Sequence, residues 1–199
     1  MAVYCTGSIS HTEDTIHKLF RTQYVTYSMG RVVGVAAAGV ALAGIALLAP
    51  VPIQAQGLLM LAGCLLFSCR AFPAALQAER ALDNRKGALP VMETRFYEGC
   101  MEVQEGKVRK KFRYEQLEHI VQDKDYLYLF LGADAVVMVD RATLPQQEQQ
   151  KLLDKLQEKS GKHWERPISL LTLNLRDIVQ MYQNGKQRDR RALKARKKL

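Results

Sequence analysis

The sequence predicts an α+β membrane protein: a transmembrane helical hairpin, then a small antiparallel β-meander capped by a C-terminal helix. Three observations carry that prediction. Residues 32–49 contain only Val, Ala, Gly, Leu and Ile, and a second apolar run at 57–69 follows a short turn containing Pro50 and Pro52. Beyond Pro90 the periodicity changes from helical to alternating, with turn residues every few positions. From Leu144-Pro145 a leucine-rich segment returns to helical spacing.

Taken in order, residues 2–9 are rich in β-formers and read as a strand, which needs a sheet elsewhere in the chain because a lone strand is unstable. Thr12-Glu13-Asp14 then marks a helix start, with acids suited to the positive first turn. Ile16, Leu19, Phe20, Tyr24 and Tyr27 follow at spacings of three and four, one apolar stripe. Two readings of that stripe stand side by side: tyrosines at headgroup level, or a helix face packed on the soluble domain. Residues 1–28 form this N-terminal strand and amphipathic helix.

The hairpin and its cytoplasmic extension occupy residues 29–86. At about 1.5 Å per residue the first run reaches roughly 27 Å, close to the thickness of a bilayer core. The second run meets Arg70 but continues as residues 71–76, and an arginine near a helix end can extend to the interface. A cleaved signal peptide fits poorly, because the segment before Val32 is long and a second apolar run follows within a few residues. Lys18, Arg21 and Arg31 precede the spans, Arg70, Arg80, Arg85 and Lys86 follow, and the turn carries no charge. Both termini are therefore expected in the cytoplasm of a cell-membrane protein with two spans. Gly30, Gly34, Gly39 and Gly44 give a small-residue surface for helix packing, within the hairpin or against another copy. The apolar runs hold no Asp, Glu, Lys or His, which disfavours a transporter or pump. Residues 76–86 continue the helix until Gly87 and Pro90 stop it.

Residues 90–162 form the β domain. Segments 93–97, 100–104, 107–114, 118–121, 126–131 and 135–139 read as strands of one meander, separated by turns such as Glu105-Gly106. In the third, Lys107, Arg109, Lys111 and Arg113 alternate with Val108, Phe112 and Tyr114, so one face is cationic and the other is expected on the core. Leu152, Leu153 and Leu156 make the buried stripe of the capping helix, which Gly161 can end. In residues 163–199 an amphipathic stretch, 168–182, leads into a basic tail.

The formal charge of +9 is concentrated in that tail: Lys186, Arg188, Arg190, Arg191, Lys194, Arg196, Lys197 and Lys198 face Asp189 alone, a net +7. The basicity thus belongs mainly to one end, suited to an anionic lipid surface or nucleic acid, or to a solvated end that obeys the positive-inside rule. Cys5, Cys64, Cys69 and Cys100 form no CxxC pair and read as free thiols in a reducing compartment. His11, His17, His119 and His163 are scattered, and no HExxH, GxSxG, P-loop or dinucleotide-binding glycine pattern occurs. Glu118, Asp134 and Asp140 read as solvated turn and strand-end carboxylates. No catalytic residue, metal ligand or cofactor site is assigned, and the chain is not expected to be an enzyme.

Phe96-Tyr97-Glu98-Gly99, the run Phe112-Arg113-Tyr114-Glu115-Gln116-Leu117-Glu118-His119-Ile120-Val121, then Tyr126-Leu127-Tyr128-Leu129 and Val137-Met138-Val139-Asp140-Arg141 resemble the YcxB-like family of bacterial membrane proteins. The resemblance covers roughly residues 12–160. It implies a two-span hairpin followed by a cytoplasmic sheet-and-helix domain similar to a partial PH-like barrel, with no established activity. The function expected on these grounds is a membrane-anchored interaction or regulatory module. Its basic strand and tail would engage anionic lipid or an acidic protein, with homodimerisation as a further mode. The alternative is a membrane-tethered nucleic-acid-binding protein acting through the tail.

Overall fold

In the computed structural model, residues 3–85, 89 and 91–167 are described. The predicted amphipathic stretch 168–182, the basic tail and the helix stop at Gly87 and Pro90 lie outside them. The fold is α+β, and its described residues divide into two compact units, 3–27 with 71–167, and 28–70.

The first unit contains two sheets. Strands β1 (Cys5–Ser10), β2 (Val91–Phe96), β3 (Cys100–Glu105) and β4 (Val108–Arg113) form one, antiparallel and in that order. The strand expected at the N-terminus finds its sheet here, Cys5 opposite Phe96 and Ser10 opposite Val91. Strands β5 (His119–Gln122), β6 (Tyr126–Gly132), β7 (Ala135–Asp140) and the two-residue β8 (Trp164–Glu165) form the other, in the order β7-β6-β5-β8. All six predicted strands exist, but they do not make one meander. After β4 a 3-10 turn at Tyr114–Gln116 carries the chain away, so β5 begins a new sheet. Tyr114 anchors that corner: its ring is buried, its hydroxyl donates to Tyr97 O at 2.7 Å, and burial raises its pKa.

A single cluster joins the inner faces of both sheets: Phe96, Met101 and Val103 from one, Ile120, Leu127, Leu129, Val137 and Val139 from the other. Helix α4 (Gln146–Ser160) adds Leu152, Leu153 and Leu156, as its stripe predicts, and ends at Gly161 with φ +65°. A left-handed residue there costs glycine no Cβ clash. The second sheet is buried on its other face too, where Val121, Tyr128, Phe130 and Met138 gather with Ile9. Burial on both faces explains why Tyr126 to Leu131 is continuously apolar.

That second face is covered by the first half of α1 (Glu13–Leu48), of which Leu19 and Tyr27 pack against the cluster. The N-terminal stripe is therefore a core-facing surface, and the Tyr27 hydroxyl donates to Glu118 Oε2 at 2.8 Å. Thr12 begins the helix, its Oγ1 accepting from Thr15 N–H while Thr15 Oγ1 accepts from Thr12 N–H. Helix α3 (Phe72–Asn84) also belongs to this unit, with Ala74 and Ala78 buried and Glu79 3.1 Å from His17.

In the second unit, the remainder of α1 and helix α2 (Ile53–Cys69) form a helical hairpin. α1 has non-helical angles at Ser28, φ −120° and ψ 28°. α1 is long and apolar enough to cross a membrane. α2 qualifies only when joined to α3, from which it is bent by 46°. The expected extension of the second run through residues 71–76 is present but broken: Ala71 leaves helical geometry and Pro73, which has no N–H, sits in the first turn of a separate helix. Helices α1 and α2 touch at Gly39 and Gly63, where a Cβ on either would stand 2.7 Å from the other's carbonyl oxygen. Gly30, Gly34 and Gly44 face open space.

Candidate binding surface

β4 is the terminal strand of its sheet, and among the described residues no strand pairs with its outer side. It grows from a tight hairpin in which Gly106, at φ +58°, takes the left-handed conformation the turn needs. The ladder with β3 then runs without a bulge from Glu105 opposite Val108 to Cys100 opposite Arg113. Alternation puts Arg109, Lys111 and Arg113 on the face turned from the core, beside Gln104, Glu102 and Cys100 respectively. Lys107, in the turn, is exposed next to them.

The other face departs from expectation in part. Phe112 packs against the main cluster and Tyr114, just past the strand, lies within it, while Val108 is 58% exposed and Lys110 is exposed as well. An edge strand has no further strand to cover its ends, so the inward-pointing positions near the hairpin remain wet. Lys110 therefore joins Lys107, Arg109, Lys111 and Arg113, and five cations lie along seven residues. Strict alternation hid it by assigning it inward with Val108. The one available signal was the run Arg109-Lys110-Lys111, too charged for a strand covered on either face.

None of the five cations makes an ion pair with a described residue. Two of the sheet's carboxylates are engaged by other arginines: Glu93 by Arg95 at 2.8 Å and Glu105 by Arg85 at 2.9 Å. Lys111 Nζ lies 5.5 Å from the centroid of the Tyr97 ring. The result is a solvated row of positive charge without close ion pairs, with Glu102 opposite Lys111 as the acid on the same face. The remaining predicted anion-binding residues, Lys186, Arg188, Arg190, Arg191, Lys194, Arg196, Lys197 and Lys198, lie outside the described residues.

The carboxylates weighed in the sequence have local tasks. Glu118 accepts from Tyr27, Asp140 Oδ1 accepts from Ala142 N–H at 2.9 Å, and Asp134 is exposed in the β6–β7 turn. His119 Nδ1 lies 3.1 Å from Glu165 Oε1, and its ring meets that of Tyr27 edge-on. His11 is buried, with Nε2 3.3 Å from Met92 Sδ. The four cysteines are free, Cys5 and Cys100 buried, Cys64 and Cys69 exposed on α2. Burial raises the Cys5 pKa, which keeps that thiol protonated and unreactive.

Residues 96–157 match the family model described as YcxB-like protein. The matched stretch runs from the last residue of β2 into α4 and contains β4 entire. No curated protein and no solved structure matches the chain.

Proposed function

We propose that the protein is a membrane-anchored interaction module: the α1–α2 hairpin holds the chain in a cell membrane, and the soluble unit recognises an anionic ligand through β4. The row of five exposed cations without ion partners carries this reading. Surface lysines and arginines are ordinarily interspersed with acids, and a one-sign stripe raises the local concentration of anions. The two-sheet unit closed by α4 supports likening it to a partial PH-like barrel, a scaffold whose edges and loops carry binding rather than chemistry. Two cytoplasmic ends and two spans complete the arrangement, on the charge distribution of the flanks.

The test uses the full chain in nanodiscs of neutral lipid, and a variant carrying Arg109→Glu, Lys110→Glu, Lys111→Glu and Arg113→Glu. Vesicles containing phosphatidylglycerol, an acidic peptide and a duplex DNA are offered at low and physiological salt. Binding of at least one probe, weakened tenfold or more by charge reversal and by salt, is the expected result. Equal behaviour of the two proteins toward every probe contradicts the proposal.

A further inference from the structure

We infer that the outer edge of β4, unpaired among the described residues, is a docking edge for an extended acidic segment of another protein, which adds to the sheet as a further strand. The inference rests on reading β4 as the binding surface and specifies its partner.

Three observations lead to it. First, β4 is six residues long and in unbroken register with β3. Bulges, prolines and charged side chains all protect edge strands; β4 carries charges, Lys110 among them on the inward face, but no bulge or proline, so its backbone bars no added strand and its charges bar one of like sign. Second, its cations project to both faces, Arg109 and Lys111 to one and Lys110 to the other. A flat anionic surface would meet one face of a strand, whereas a strand laid along the edge meets the side chains of both. Side chains directly opposite in adjacent strands stand about 4.5–5.5 Å apart, so acidic residues in the added strand are matched and basic ones repelled. Third, Val108 is exposed between Lys107 and Arg109, an apolar contact of the kind that fixes register in strand addition. The docking edge stops before Arg113, whose N–H already donates to Gln116 Oε1 at 3.0 Å. The same charges that repel a second copy's β4 thus select an acidic partner.

The experiment uses the full chain in neutral-lipid nanodiscs and a ten-residue peptide alternating glutamate and valine. Two analogues are N-methylated on alternate residues, one set on each edge of the extended peptide, so charge and side chains stay constant. Expected results are slowed amide exchange within residues 107–112 and a tenfold or greater loss of binding for one methylated analogue but not the other. The Arg109→Glu, Lys111→Glu double variant loses binding by a similar factor. Equal binding of both analogues, or no peptide binding, overturns strand addition. Should phosphatidylglycerol vesicles then bind while the peptide does not, the anionic-ligand reading survives without it. Binding of no anionic probe removes both.

Discussion

At single positions, space and solvation decide what each residue tolerates. A Cβ on Gly7 would stand 2.5 Å from Val139 Cγ1 and 2.8 Å from Leu144 Cδ2, and both side chains are buried. Gly7→Ala should therefore destabilise the two-sheet unit by about 1–3 kcal/mol through overpacking, measured by thermal or denaturant unfolding. Tyr114→Phe removes the bond to Tyr97 O and should cost about 1–2 kcal/mol in the same assay. His11 gives a pH dependence. Burial, and then the Arg85 charge, lower its pKa from 6.5, with Glu105 opposing. The folded state thus holds a proton less readily than the unfolded chain. The contribution of neutral His11 is complete above the unfolded value and is lost as pH falls from there through the lowered folded value. His11→Gln should flatten the stability profile in that window, and an unchanged profile would assign the dependence to other groups.

Among the elements, the α1–α2 contact and the β1 strand are the points most open to test. Gly39→Ala forces a Cβ against the Gly63 carbonyl and should lower the resistance of the hairpin to detergent unfolding, whereas Gly44→Ala, facing open space, should not. Equal effects would contradict the packing of the hairpin. The elements also differ in how legible they were. α4 was read correctly because leucines at helical spacing, a proline at the start and a glycine at the end all agree. The six strands were legible from alternation and turns, but their division into two sheets was not. It depends on Tyr114 folding back onto Tyr97, a contact between residues whose spacing carries no periodic signal. The break at Ala71 escaped notice because Pro73 lies within the first turn of α3, where proline is also an ordinary helix starter.

For the molecule as a whole, the two-sheet unit is assembled from chain on both sides of the hairpin. β1 precedes residues 28–70 in sequence, yet it pairs along its length with β2, which follows them. Removing residues 3–10 takes Cys5 and Ile9 from the two buried clusters and should prevent cooperative folding of the unit, whatever becomes of the hairpin. Folding must then join strands separated by 80 or so residues, an entropic cost that grows only slowly with the length of the intervening loop. Such an arrangement makes the two-sheet unit depend on chain from both sides of residues 28–70. The basic surface was half legible: Lys107, Arg109, Lys111 and Arg113 follow from alternation, while Lys110 required knowing that β4 ends its sheet. The most direct measurement places a photo-crosslinking amino acid at position 110 of the full chain in the cell, with the exposed position 147 of α4 as the control. The expected result is a salt-sensitive adduct at 110 that charge reversal of Arg109 and Lys111 abolishes, and no such adduct at 147. Indistinguishable labelling at the two positions, or labelling at 110 that ignores salt and charge, would contradict it.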